Sequence, residues 1–192
     1  MATGTHFLKS ARTFRAQKRL EHAPFFLHTK RLGFRVWSED DLPLAHGLSA
    51  DPEVKPGAQV EQLLADEIAT QREHGVQYWP LFLLATGEHF GCCGLHPYDP
   101  ANSIYAIWCH LQESFRGRGL AEEAAAAVID YAFATLGASA LFAEHPPHNL
   151  AARHLLRKLG FQYTHTRHDA PTGLDHLCYI RTRSAAPLRF GY

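Results

Sequence analysis

The spacing of apolar residues changes several times along the chain, and each change marks an element. Between Phe25 and Val36 the alternation of Leu32, Phe34 and Val36 has the period of a strand. Ser38-Glu39-Asp40-Asp41 has the form of a capping box and starts a short helix, which Asp51-Pro52 ends near Ala50. Val60, Leu63, Leu64, Glu67 and Ile68 recur with helical period, and Gly75 stops them. Leu81–Ala85 and Glu88–Leu95, joined by Thr86-Gly87, predict a β-hairpin. Pro97, Asp99 and Pro100 break the chain, and Ile104–Leu111 is the next strand. Leu120–Leu136 is the clearest helix. Ala121, Ala124, Ala125, Val128, Ile129, Ala132, Phe133 and Leu136 form one apolar stripe, Glu122 and Glu123 complement the dipole, and Gly137 ends it. Ala140–Glu144 is a strand. Asn149 caps a helix through Lys158, with Gly160 after it. Phe161–Thr166 and Leu177–Arg181 are the final strands. The strand–helix–strand unit from Ile104 to Glu144 implies one parallel pair.

With 192 residues, 46% hydrophobic and 20% charged, the chain suits one globular domain with a sizeable core, not a disordered segment. Lys+Arg and Asp+Glu are 19 each, so the basic excess of a dedicated nucleic-acid binder is missing. No apolar run approaches the ~18 residues of a membrane helix. Four cysteines without CxxC spacing read as reduced thiols of a cytoplasmic protein. Cys92 and Cys93, neighbours on a strand, point to opposite faces and suit strand filler better than a chelate. The 14 histidines lack metal-site spacing, and no metal is expected. Trp37, Trp79 and Trp108 lack the basic interleaving of a base-stacking platform and suit core or pocket wall. Residues 1–24 carry Lys9, Arg12, Arg15, Lys18 and Arg19 against Glu21 alone, a basic arm that is either docked, with Phe7, Ala11 and Phe14 on one helical face, or a plain tail. A ribosome- or RNA-docking role for this arm rests on these residues only.

The sharpest chemistry lies at Arg116-Gly117-Arg118-Gly119-Leu120-Ala121, between a strand and a helix. Two glycines let the backbone turn with its N–H groups converging. The free amides of the helix N-terminus and two guanidinium groups add positive charge, and together these bind phosphate. No Gly-Lys-Ser/Thr follows, so this is not a P-loop, and the third glycine of a dinucleotide fingerprint is missing.

The string Phe115-Arg-Gly-Arg-Gly-Leu-Ala-Glu-Glu-Ala, then Tyr131-Ala-Phe, Asn149-x-Ala and Lys158-Leu-Gly-Phe resembles the GNAT family of acetyl-CoA-dependent N-acetyltransferases. It is most similar to the branch of ribosomal-protein N-terminal acetyltransferases (RimJ/RimL type). Thr29-Lys-Arg-Leu-x-Phe-Arg-x-Trp, Asp41-Leu, Asp51-Pro-Glu-Val and Gly91-Cys-Cys-Gly-Leu agree, so the likeness covers about 25–183, with 184–192 as a tail. The resemblance implies an α+β fold: a mixed, mostly antiparallel sheet with a splayed parallel pair, here Ile104–Leu111 and Ala140–Glu144, flanked by helices on both faces. It implies that pantetheine lies in the splay and pairs with backbone near Leu111. The pyrophosphate sits on the amides of 116–121 (Arg116, Gly117, Arg118, Gly119, Leu120, Ala121), and Asn149 contacts the cofactor arm beside its capping role. It further implies acetyl transfer from acetyl-CoA to a primary amine, with CoA as product and a protein N-terminus or a small amine as acceptor. Homodimer pairing is a further expectation, since such domains often pair.

Direct attack needs a neutral amine, a proton acceptor, and a donor for the leaving thiolate. Here the chain departs from the family pattern. Ala106 stands where many members have a strand Glu, Ala152 where the branch often has Ser, Leu156 where a Tyr acid is common, and Ser114 at the first loop position. His110, at the end of the first splayed strand, and Glu144 and His145, at the end of the other, are the substitute candidates for catalysis, with only one of the latter two facing inward. His176, in the last hairpin, is a candidate for substrate contact. The same departures leave open a non-catalytic acyl-CoA-binding module.

Overall fold

The structure, a computed structural model, describes residues 25–49, 59–170 and 173–183. The expected basic arm, the Asp51-Pro52 stop and the tail at 184–192 lie outside the described residues. The strands are β1 (Leu27–His28), β2 (Leu32–Phe34), β3 (Tyr78–Leu83), β4 (His89–Asp99), β5 (Ile104–Leu111), β6 (Ala140–His145), β7 (Gln162–Asp169) and β8 (Leu174–Thr182). The helices among the described residues are α1 (Leu42–Ser49), α2 (Val60–His74), α3 (Leu120–Ala134) and α4 (Leu150–Lys158). All eight strands join one sheet in the order β1-β2-β3-β4-β5-β6-β8-β7. Neighbours are antiparallel except β5 and β6, the parallel pair expected from the strand–helix–strand unit.

Alternation splits the sheet into two faces, each covered by helices. On one face Cys93, Leu95, Ile107, Leu111, Leu141 and Ala143 pack against Ala124, Ala125, Val128, Ile129 and Ala132 of α3. The small side chains of that stripe let the helix lie close to the strands. On the other face Cys92 and Trp108 pack with Trp37, Leu48, Leu64 and Ile68, which brings in α1 and α2. Cys92 and Cys93 are therefore both buried, and all four cysteines are free thiols. No helix among the described residues is long and apolar enough to cross a membrane.

Several boundaries differ from the sequence expectation, each for a local reason. The expected strand from Phe25 to Val36 is a tight hairpin. Thr29 turns the chain, its Oγ1 accepting from the Leu32 amide at 3.0 Å while its own amide donates to the Leu32 carbonyl at 2.9 Å. Pro97 does not end β4: a register shift between Pro97 and Asp99 absorbs it, and the strand runs on to Asp99. Strand β3 starts at Tyr78 rather than Leu81, and Pro80 is tolerated because β2 pairs only with Leu81–Leu83. The final strands are longer than expected at 162–169 and 174–182.

Candidate active site

Strands β5 and β6 pair only at Ile104–Ala140, Tyr105–Leu141 and Ala106–Phe142. Beyond Ala106 they separate, while each stays paired on its outer side. β5 keeps β4 as far as Leu111–Gly91, and β6 keeps β8 as far as His145–Leu177. A wedge therefore opens from Ala106 toward Leu111 on one wall and His145 on the other. Backbone groups on its inner edges have no ladder partner in the opposite strand, and an extended amide-bearing ligand can supply one.

The loop from β5 into α3 sits at the mouth of this wedge. The Arg116 amide donates to the Glu113 carbonyl at 3.1 Å, and its Nε donates to the Leu111 carbonyl at 3.0 Å. Gly117 and Gly119 follow with φ of 74° and 71°, a left-handed backbone that favours glycine. A Cβ on Gly117 would meet nothing within 4 Å, so backbone conformation, not crowding, requires glycine there. Gly119 is the N-cap of α3 and makes no side-chain cap bond, which leaves the first-turn amides without a side-chain acceptor from it. The Arg118 guanidinium lies 5.3 Å from the Phe115 ring centroid.

Arg31, in the β1–β2 turn, ties this loop down. Its Nη1 donates to the Arg118 carbonyl at 3.1 Å and its Nη2 to the Gly119 carbonyl at 3.3 Å. Its Nε pairs with Glu123 Oε2 at 2.5 Å, and Thr29 Oγ1 donates to Glu123 Oε1 at 2.5 Å. In a trans peptide the N–H points opposite to the preceding C=O. With both carbonyls turned to Arg31, the amides of Gly119 and Leu120 point away from it. Burial alone would raise the Glu123 pKa, but the bonds from Thr29 and Arg31 outweigh it and hold the carboxyl below its usual range. A loop of this kind can hold an anion on its free amides and the Arg118 guanidinium.

Asn149 ends the β6–α4 connection. Its Oδ1 accepts from the Ala152 amide at 2.9 Å, the expected N-cap bond. Leu156 is buried in the core.

The candidate catalytic residues fall on both faces. His145 continues the Leu141–Ala143 side, on the face of α3. It is 3% exposed. Its Nδ1 donates to the Pro146 carbonyl at 2.8 Å, which leaves Nε2 to accept from the Tyr179 hydroxyl at 3.3 Å. Glu144 points to the opposite face, where Arg167 Nη2 bonds both its oxygens at 2.8 Å. His176 Nδ1 lies 3.7 Å from Glu144 Oε1, and Cys178 Sγ lies 3.8 Å from Oε2. Burial, and then the neighbouring Glu144, push the Cys178 thiol pKa up. His110 shares this second face, buried and stacked on Trp108 with centroids 5.6 Å apart.

Sequence reasoning did not single out a second cluster on the face of His110. His96 Nε2 lies 3.0 Å from Glu67 Oε2, which also accepts from the Tyr78 amide at 2.8 Å. The Tyr78 ring stacks on the imidazole at 3.9 Å with an interplanar angle of 3°. Burial, and then Glu67, raise the Tyr78 phenol pKa, so its hydroxyl stays neutral. The available signal was Glu67 itself, an acid on the apolar stripe of a helix.

Residues 31–162 match the acetyltransferase (GNAT) domain family. A curated protein described as the uncharacterized N-acetyltransferase p20 of Bacillus licheniformis is 27% identical over 147 residues, 71% of this chain and 82% of that protein. The crystal structure of an acetyltransferase from Agrobacterium tumefaciens superposes with a TM-score of 0.70 at 26% identity, covering 83% of this chain and 95% of that one. The structure of RimL, a ribosomal L7/L12 α-N-protein acetyltransferase, in complex with coenzyme A gives a TM-score of 0.70 at 19% identity, covering 85% and 99%.

Proposed function

Given that the chain belongs to the GNAT acetyltransferase family, we propose that it moves an acetyl group from acetyl-CoA to a primary amine by direct attack. The observation that carries this reading is the wedge between β5 and β6, which opens beside a loop of two left-handed glycines at the head of α3. The residues present fit a phosphate-bearing thioester. The amides of 117–121 and the Arg118 guanidinium take the pyrophosphate, Arg116 braces the loop on Leu111, and the backbone near Leu111 pairs with the pantetheine amides. Asn149 stands on the opposite wall.

The glycine loop lies at the head of α3, so the pyrophosphate of acetyl-CoA rests on the face of that helix and its thioester ends in the wedge. The amine then approaches from the face of α1 and α2. His145 lies on the cofactor's side of the wedge, its Nδ1 hydrogen held by the Pro146 carbonyl and its Nε2 accepting from the Tyr179 hydroxyl. His110, Glu144 and His176 line the acceptor's side, with Glu144 fixed by Arg167. The likeness to the RimJ/RimL branch favours a protein N-terminus as acceptor, with a small amine as the other class.

Free CoA at ~100 times its dissociation constant should stabilise the protein by about 2.7 kcal/mol. Gly117→Val, with a β-branched residue forced to φ 74°, should abolish that thermal shift. Thiol release from acetyl-CoA in the presence of an amine panel should accompany binding. A Gly117→Val variant that keeps the full shift would remove the phosphate-loop assignment. Ala106, Ala152 and Leu156 favour a second reading, a non-catalytic acyl-CoA-binding module, and CoA binding with no thiol release for any amine would select it.

A further inference from the structure

We propose that His96, backed by Glu67, takes the proton from the attacking amine. The assignment rests on the acetyl-transfer reading above and names a catalytic residue within it.

His96 pairs directly across from Ala106, and Ala106–Phe142 is the last rung before β5 and β6 part. Opposed residues of an antiparallel pair share a face with Cβ atoms ~5 Å apart, so His96 stands one strand from the apex of the wedge on the acceptor's face. Ala106 contributes only a methyl group to this face, and Tyr98 of β4 stacks on Phe142 at the apex with centroids 4.0 Å apart. The imidazole lies flat on Tyr78, whose ring is 5.1 Å from Trp108, and Tyr78 pairs with Gly94. Gly94 is in turn opposite Trp108. The His96 ring therefore leans along β4 toward the open end of the wedge, not away from it.

A carboxylate only accepts, so the 3.0 Å contact assigns the hydrogen to Nε2 and the lone pair to Nδ1. The Tyr78 amide holds the same carboxylate oxygen in place at 2.8 Å. The His96 side chain is 30% exposed and Glu67 19%, so the base reaches the acceptor's space with the carboxylate behind it. The other groups on this face are committed elsewhere or enclosed. Glu144 carries the two-oxygen pair with Arg167, His110 is 5% exposed, and His176 Nδ1 faces Glu144. The titratable and charged groups around His96 are thus Glu67 from α2, Tyr78 from β3, Cys92 on its own strand, His110 from β5, and the Glu144–Arg167 pair across the wedge.

An ammonium acceptor gives one proton to Nδ1 of His96. The freed nitrogen lone pair attacks the thioester carbonyl carbon, the C–N bond forms, and the C–S bond breaks with its pair on sulfur. The second amine proton leaves on sulfur as the CoA thiol, and the imidazolium returns its proton to water. Glu67 acts through His96 and is a positioning residue.

The test follows thiol release from acetyl-CoA with a peptide bearing a free N-terminal serine, with spermidine and with free amino acids, using whichever amine the wild type turns over best. His96→Ala should lower kcat by ~10²–10⁴-fold. It should keep the thermal shift with CoA, which also verifies folding, and regain rate with added imidazole. His96→Gln serves in the same way if the alanine variant does not fold. The pH profile of kcat/KM should differ between the wild type and both variants, which should keep only the rise that belongs to the amine. Glu67→Gln keeps the shape but loses the carboxylate that orients the ring, so it should lower kcat while leaving KM and the CoA thermal shift unchanged. Wild-type turnover with His96→Ala or His96→Gln equally fast and unchanged in pH profile overturns the assignment and leaves the transfer reading standing. Absence of thiol release from the wild type with every amine overturns the transfer reading, and this assignment with it.

Discussion

The two faces of the sheet at the wedge are built in different ways. On the face of α3, one contiguous stretch from Ile104 to His145 supplies the first splayed strand, the glycine loop, the helix and the second splayed strand. Its buried side chains are mainly Ala, Val, Ile and Leu, and the binding groups proposed there are main-chain amides. On the face of α1 and α2 the apolar cluster is small, and polar groups are buried beside it: Arg35, Asp41, Gln77 and His110. Charged groups on that face come from distant segments and meet in pairs, Arg35 with Asp41, His96 with Glu67, Arg167 with Glu144. Backbone recognition suits a ligand whose polyphosphate and amide groups are always the same. Side chains gathered from distant segments suit a partner that differs between proteins. The difference is open to direct test.

The largest expected effect contrasts the two kinds of burial. Asp41 receives Arg35 Nη1 and Nη2 at 2.6 and 2.7 Å, plus the Ser38 amide and hydroxyl at 2.8 and 2.9 Å. Burial alone would raise the Asp41 pKa, but Arg35 and then Ser38 outweigh it and bring the carboxyl below its ordinary value. Asp41→Asn leaves a buried guanidinium unpaired and should cost ~3–5 kcal/mol, whereas Ile129→Val on the other face should cost ~0.5–1.5 kcal/mol. Urea unfolding of both variants measures the gap. Equal losses would mean that the polar face is no more dependent on pairing than the apolar one.

The next effect is a pH dependence that belongs to the polar face alone. Burial, and then the neighbouring Arg35, lower the His89 pKa from 6.5 to about 4, against weaker opposing contributions from Gly91 and Asp41. The unfolded chain therefore takes up this proton near pH 6.5 and the folded one only near 4. The group's contribution is complete above pH 6.5 and is lost as pH falls toward 4, on the order of 3 kcal/mol in all. Asp41 extends the decline at lower pH, since its stabilisation fades as pH falls through its lowered value. His89→Leu should flatten the melting temperature across the window from 6.5 to 4. A variant whose melting point falls as steeply as the wild type's there would assign the acid sensitivity to other groups.

How each face was written decides how far it could be read. The α3 stripe, the glycine loop, the Asn149 cap and the single parallel pair are local patterns of spacing and residue type, and all are present. Alternation also separated Glu144 from His145, as a strand requires. The hairpin at Thr29 escaped because a side-chain hydroxyl, not a glycine or proline, makes its turn. Strand β4 ran past Pro97 because a bulge accommodates what the residue type forbids in a regular ladder. The Arg31–Glu123 tie and the His96–Glu67 pair join residues 92 and 29 positions apart. No periodicity links such positions. His96 was one of 14 histidines, and only the fold places it beside the wedge.

The smallest expected effect separates two roles that coincide in one residue at the edge of the backbone-built face. Asn149 Oδ1 caps α4 through the Ala152 amide at 2.9 Å, and the same carboxamide has an NH₂ group left to donate. Asn149→Ala removes both and should cost ~1 kcal/mol of stability along with some CoA affinity. Asn149→Asp keeps the cap, since aspartate accepts from the same amide as well as asparagine does, but it has no N–H to offer and adds a negative charge beside an anionic ligand. The aspartate variant should therefore melt close to the wild type and bind CoA more weakly, as read by calorimetry. If it binds CoA as tightly as the wild type, Asn149 serves the helix alone. Cofactor recognition on that wall of the wedge would then rest entirely on main-chain groups, which would draw the contrast between the two faces more sharply.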